Sequence, residues 1–162
     1  MGIRKLTNWD DEMFRKVSRP VEKFDDRLHR LLDDMRDTLV SVGGYGCAAA
    51  HVGILRRAVV ILPDESEGRA EIIEFVNPTL RVTGTETQCV LEGSVAPGAV
   101  WGYVDRPYEV EVAAFDRNGG AVTIHGTGFL AATLCHEIEV LDGVKFSDNV
   151  TEFVDESKVS LL

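Results

Sequence analysis

The chain has 162 residues and a mass of 17.8 kDa, with 44% hydrophobic residues, 27% charged residues and a mean hydropathy of −0.02. These values describe one globular domain with a core large enough to dispense with disulfides or a structural metal. Seventeen Lys+Arg against 27 Asp+Glu give a net charge of −10, which excludes a broad phosphate-tracking surface and with it a generic nucleic-acid partner.

The opening residues lack an apolar stretch of signal-peptide length, and no later window nears the roughly 18 apolar residues that span a bilayer. The expectation is a cytoplasmic protein with no membrane contact. Cys47, Cys89 and Cys135 are odd in number and form no C-x-x-C pair, so neither a disulfide framework nor a zinc ribbon is indicated.

In chain order, a short helix is predicted over Asp10–Val17, ending before Ser18-Arg19-Pro20. A clearer one covers Asp25–Ser41, with Leu28, Leu31, Leu32, Met35 and Leu39 on one stripe and Asp25 or Asp26 as cap. Strand-like runs follow at Arg57–Leu62, at Glu71–Val76 (stopped by Asn77-Pro78) and at Leu80–Val82, with a polar loop at Pro63–Ala70. Tyr108–Phe115 and Ala121–His125 read as a hairpin about the Asp116–Gly120 turn. A last helix, from Thr127 to Val140, carries Leu130, Leu134, Ile138 and Leu141 on one face and stops at Asp142-Gly143. The fold class is α+β, mostly antiparallel strands around a late helix.

Three segments carry chemistry: Gly44-Tyr45-Gly46-Cys47-Ala48-Ala49-Ala50-His51, Glu92-Gly93-Ser94-Val95-Ala96 and His136-Glu137-Ile138-Glu139-Val140. In that order they resemble the G-x-G-L-A-A-x-Q, E-G-C-L-S and H-E-x-D-H segments of peptide deformylases. The likeness runs over residues 8–148, through Arg15–Val21, Asn77-Pro78 and the Asp116 turn. Any one motif alone would be a turn or a solvated pair; three in order specify a fold. The resemblance implies a single domain over residues 1–162, antiparallel sheets around a central motif-bearing helix, with 147–162 as a C-terminal tail.

The chemistry the resemblance implies is a mononuclear metal on one Cys and two His, whose bound water attacks a formyl group on an N-terminal methionine while the motif Glu shuttles the proton. Here the Cys position is Ser94 and the second His position is Val140, so only His136 is kept. A hydroxyl does not supply a thiolate's anionic donor, and valine supplies none. His51 stands where the family places an amide over the formyl oxygen, Tyr45 where an aliphatic residue is usual, and Trp101 where a basic one is expected. The same register lines the methionine pocket with Tyr45, Val90, Phe129, Ala132 and Thr133, and Gly46, Val95 and Trp101 complete the substrate-binding set. The plain alternatives are core packing for Tyr45 and Phe129, a surface-loop aromatic for Trp101, and an ordinary surface histidine for His125. Cys47 and Cys135 read as core residues, and Cys89 lies on the strand entering the second motif, too far from Ser94 to replace the missing thiolate.

The principal expectation is therefore a repurposed, metal-independent acid/base enzyme for an N-acyl or carbonyl-bearing small molecule or short peptide, needing no cofactor. Its catalytic set is Glu137 as proton carrier, His136 or His51 as base or oxyanion partner, and Ser94 as optional nucleophile. One alternative is a non-catalytic pseudoenzyme or binding module. Another is a metal-dependent deformylase whose iron, nickel or zinc has moved to His136, His51 and Glu139. The tail sets Glu152, Asp155 and Glu156 against Lys158, which argues against docking on the ribosome through a basic segment. Its apolar residues Val150, Phe153, Val154, Val159 and Leu161 suit folding back or pairing with a second copy, with disorder the third possibility.

Overall fold

The computed structural model describes residues 2–161, with side chains from 2–159. Two helices and eight strands appear in the order α1 (Asp26–Val42), β1 (Gly46–Ala48), β2 (Ala58–Ile61), β3 (Ile73–Val82), β4 (Thr87–Glu92), β5 (Trp101–Pro107), β6 (Glu109–Phe115), β7 (Ala121–Thr127), α2 (Gly128–Leu141) and β8 (Val150–Val154). The strands form a five-stranded sheet, β1-β2-β3-β6-β7, and a three-stranded sheet, β4-β5-β8, with every pairing antiparallel. No helix among the described residues is long and apolar enough to cross a membrane.

Helix α1 starts where a carboxylate can satisfy orphan amides: Asp25 accepts from the Leu28 N–H at 3.2 Å, and Gly43 closes the helix in the left-handed conformation. Its stripe of Leu28, Leu31, Leu32, Met35 and Leu39 is buried against one face of the large sheet, beside Ala58 and Val60 of β2. Each such side chain removed from water contributes about 1.5–3 kcal/mol. The alternating residues Val59 and Ile61 point to the opposite face, where they join Leu134, Ile138 and Leu141 of α2. The predicted apolar face of α2 is thus correct but incomplete. Ala131, Ala132, Cys135, His136 and Glu137 are buried as well, because this helix lies between the two sheets and touches both.

Three boundaries differ from expectation. The helix over Asp10–Val17 shrinks to a single 3-10 turn, Glu12–Arg15, whose one buried residue is Phe14; there is no apolar stripe to carry it further. Glu71–Val76 and Leu80–Val82 are one strand, β3, because Asn77-Pro78 makes a bulge rather than a stop. Asn77 takes φ of 51°, and its amide group ties down the entering chain, accepting from Val21 N–H at 2.8 Å and donating to Val21 C=O at 2.9 Å. The tail folds back: β8 pairs with β5 from Trp101↔Val154 to Val104↔Val150.

Candidate active site

The site is assembled on α2, whose residues Thr133, His136, Glu137 and Val140 fall three and four apart and so face one way. Strand β1 runs against that face with its backbone. A Cβ at Gly46 would stand 3.1 Å from Glu137 Oε2 and 3.3 Å from Thr133 Cγ2, so only glycine admits this approach without displacing the carboxyl group. Beyond β1 the chain makes a 3-10 turn, Ala49–Val52, which carries His51 in towards α2. The second motif contributes Ser94 from the connection between β4 and β5.

Glu137, His51, Ser94 and His136 are therefore brought near one another. His51 Nδ1 lies 3.8 Å from Glu137 Oε1, and Ser94 Oγ lies 3.4 Å from His51 Nε2. This has the outline of a serine–histidine–carboxylate relay, but its wiring is different. His51 Nδ1 stands 3.0 Å from the Ala48 N–H and 3.3 Å from the Ala48 C=O; the shorter contact assigns Nδ1 as acceptor, which leaves the proton on Nε2 facing Ser94 Oγ. Ser94 Oγ also accepts from the Ala96 N–H at 3.1 Å. A histidine in this tautomer donates to an oxygen; it does not take the proton of a serine hydroxyl.

Charge at the site follows from burial. Burial, with the positive field of His136, pushes His51 down to about 3, so it is neutral at ordinary pH. Burial pushes Glu137 up to about 7, only partly offset by His136, so both its protonation states are populated near neutrality. Glu137 Oε1 is buried and has no hydrogen-bond partner among the described residues. Burial disfavours the charged form of His136, but Glu137 beside it and Glu92, whose Oε1 is 2.7 Å from His136 Nδ1, outweigh that and raise it.

Two residues with no role assigned from the sequence complete this support. Arg106, buried on β5, donates through Nε and Nη2 to Glu92 at 2.6 and 2.8 Å and through Nη1 to Glu139 at 2.6 Å. Burial alone would raise Glu92, yet its bonds from Arg106 and His136 hold it below the usual carboxylate range. The signal was present in the alternation of Trp101–Pro107: Gly102, Val104 and Arg106 face inward, and an inward arginine requires carboxylates. Around the imidazoles stand aromatic rings, Phe14 at 5.3 Å from His51 and Phe146 stacked at 5.1 Å on His136, with Trp9 at 5.3 Å from Phe146. With Ser94 and Val140 they enclose about 10 Å³, room for roughly one water molecule.

The substrate-binding candidates are placed as follows. Tyr45, 57% exposed, meets Phe129 edge to face at 4.9 Å, so neither is simple core. Val90 is half-buried on β4, opposite Val104. Val95 packs against Gly44 and the α1 core. Trp101 is no loop aromatic: it begins β5 with its ring over Gly93, where a Cβ would lie 2.6 Å away. His125 pairs with Glu109 at 2.8 Å on the surface of the hairpin, away from these groups.

The family's cysteine-and-two-histidine donor set can be checked against these residues. Val140 has no donor, Ser94 offers a hydroxyl already accepting from Ala96, and His136 has Nδ1 committed to Glu92. Glu139 is held by Arg106, so the relocated set of His136, His51 and Glu139 is not assembled. Among the described residues no group of three or more His, Cys, Asp or Glu side chains is placed to hold an ion. The residues present do not fit that metal, and no chemical step is assigned to it below.

The family model for polypeptide deformylase matches residues 3–156. A peptide deformylase of Caldicellulosiruptor bescii is 46% identical over 160 residues, covering 98% of this chain and 92% of that protein. Peptide deformylase 2 of Clostridium acetobutylicum is 44% identical over 155 residues, covering 95% and 99%. Among solved structures, a peptide deformylase from Legionella pneumophila superimposes with a TM-score of 0.82 at 35% identity, over 98% of this chain and 90% of that one. The Ehrlichia chaffeensis enzyme in complex with actinonin gives 0.85 at 30% identity, over 99% and 94%.

These likenesses correct two expectations. Relatives this similar over nearly full length are named as deformylases, which overturns the reading as a repurposed metal-independent enzyme and the one as a pseudoenzyme with a degenerate metal site. The expectation of no cofactor falls with them, since a catalytic metal ion is the norm among such proteins. By sequence and by fold, the chain belongs to the peptide deformylase family.

Proposed function

We propose that this chain is a deformylase, a hydrolase that removes the formyl group from the N-terminal residue of a short peptide, with Glu137 carrying the proton. The observation that carries the reading is the Glu137 carboxyl group: buried, raised to about 7, and with one oxygen unpartnered. A group titrating at the working pH can take a proton from an attacking water and return it to the leaving amine. His51, neutral and with its Nε2–H turned to Ser94 Oγ, orients that hydroxyl, whose own proton is left to donate to the oxygen on which charge develops. Against burial and the field of Arg106, His136 is raised by Glu137 beside it and by its contact with Glu92, so its charged form is favoured next to Glu137. Tyr45, Phe129 and Val90 offer apolar surface to the first side chain of the peptide, with Gly46 and Val95 giving backbone and Trp101 a flanking wall. The relatives' names and the match over residues 3–156 support the substrate class.

The test is release of formate from a formyl-Met tripeptide under anaerobic conditions with iron(II), nickel(II) or zinc(II) supplied. Turnover should fall by about 10² or more in Glu137→Gln with KM nearly unchanged. Equal turnover in the two proteins removes Glu137 from the reaction. Ser94→Cys combined with Val140→His supplies the two missing donors, and it should raise both bound metal per chain and turnover by at least about tenfold.

A further inference from the structure

The distribution of charge outside the active site is uneven. In a chain of net charge −10, six of the 17 Lys and Arg residues (Arg4, Arg19, Lys23, Arg27, Arg30 and Arg56) line one groove of about 970 Å³. The groove lies between the segment entering α1, the first turns of that helix and the loop before β2, and among the described residues Glu22 and Asp25 are its only carboxylates. Arg4 is paired with Asp34, but Arg19, Lys23, Arg27, Arg30 and Arg56 have no ion pair among the described residues. Between them lie the half-buried Ile54 and Leu55, with the edges of the core residues Val21, Leu28 and Leu31 beneath. An arginine rim around Ile54 and Leu55 fits an extended segment bearing both carboxylates and an apolar anchor.

The same chain displays such a segment. On β8 and just beyond it, Glu152, Asp155 and Glu156 are exposed and have no cationic partner among the described residues, and Phe153 is 60% exposed. Phe153 is uncovered because its neighbour across the ladder is Gly102, which has no side chain to lay over it. β8 is also the outer strand of its sheet, so the ridge is open to a partner.

We infer that the chain associates with a second copy of itself, Asp155 and Glu156 at the end of β8 in one molecule meeting the arginine groove of the next with Phe153 against Ile54 and Leu55. Signs match, and each half leaves unpaired what the other provides. A single-stranded nucleic acid is the weaker fit, because no aromatic side chain lines the groove to stack a base and the chain as a whole is acidic. The two surfaces differ, so the contact is heterologous: it closes into a ring or reciprocal pair, or grows into a chain.

Sedimentation velocity on the full chain tests this. Between ~1 and ~500 µM at ~50 mM salt, the average mass should rise with concentration, and it should return towards the monomer at ~500 mM salt as the charges are screened. Phe153→Ser and the pair Arg27→Glu with Arg30→Glu should each abolish the rise. Adding Asp155→Arg and Glu156→Arg to the groove pair should restore it, which a merely damaged fold would not allow. A monomer at every concentration, or association indifferent to both sets of substitutions, overturns the inference. So does a monomeric protein that binds labelled oligouridylate and loses that binding on Arg27→Glu with Arg30→Glu.

Discussion

Glu137→Gln has a consequence for folding that is independent of any substrate. A carboxyl group raised from 4.5 to about 7 is kept protonated in the folded chain while the unfolded chain ionises freely. Folding stability therefore falls as pH rises from 4.5, and the loss is complete above 7, amounting to about 3 kcal/mol. Between about pH 5 and pH 8 the expected share is about 2.5 kcal/mol. His136 acts in the same sense: raised by Glu137 and Glu92, it stabilises the fold below its unfolded value and loses that contribution as pH passes its folded one. The glutamine variant removes the first effect and weakens the second. Urea denaturation of both proteins across this pH range reads the difference. With a slope of about 2 kcal/mol/M, the midpoint of the native protein should fall by about 1 M more than that of Glu137→Gln. Parallel pH profiles, within about 0.5 kcal/mol, would refute the assignment of a buried, raised carboxyl group at this position.

Other substitutions probe the support. Glu92→Ala strips Arg106 of its bidentate partner and His136 of its acceptor, and urea unfolding should show a loss of about 3–5 kcal/mol. Gly46→Ala places a methyl group 3.1 Å from Glu137 Oε2, so deformylation should drop by about tenfold or more, read as kcat, while circular dichroism reports an intact fold.

The sequence was most legible where one local rule dominated. The α1 stripe, its Asp25 cap and the β6–β7 hairpin all follow from periodicity and turn chemistry that neighbours in sequence settle between themselves. The bulge at Asn77-Pro78 was not legible, because what keeps the strand going is a pair of hydrogen bonds to Val21, 56 residues away. β1, β5 and β8 were missed for a similar reason. β1 is three residues long, β5 contains Gly102 and Arg106, and β8 is an exposed edge, so none shows a clean alternation of its own. At the site, the three motifs place Glu137, His136, His51 and Ser94 near one another. The tautomer of His51 depends on the backbone N–H of Ala48, three residues away within one turn, whereas the charge of His136 depends on Glu92, 44 residues away, a contact that only the fold creates. The functional expectation failed differently: two substituted ligand positions weighed against the whole chain, whereas 46% identity over 160 residues speaks for the chain as a unit.

The most direct measurement of proton transfer through Glu137 is anaerobic formate release from a formyl-Met tripeptide as a function of pH, with metal supplied, for the native protein and Glu137→Gln. Turnover by the native protein should change with an apparent pKa near about 7, the value to which Glu137 is raised, and Glu137→Gln should lose about 10² or more on the alkaline side of it, the gap narrowing at lower pH as the native carboxylate is protonated. No formate from the native protein, or a pH profile unchanged in Glu137→Gln, would contradict that transfer.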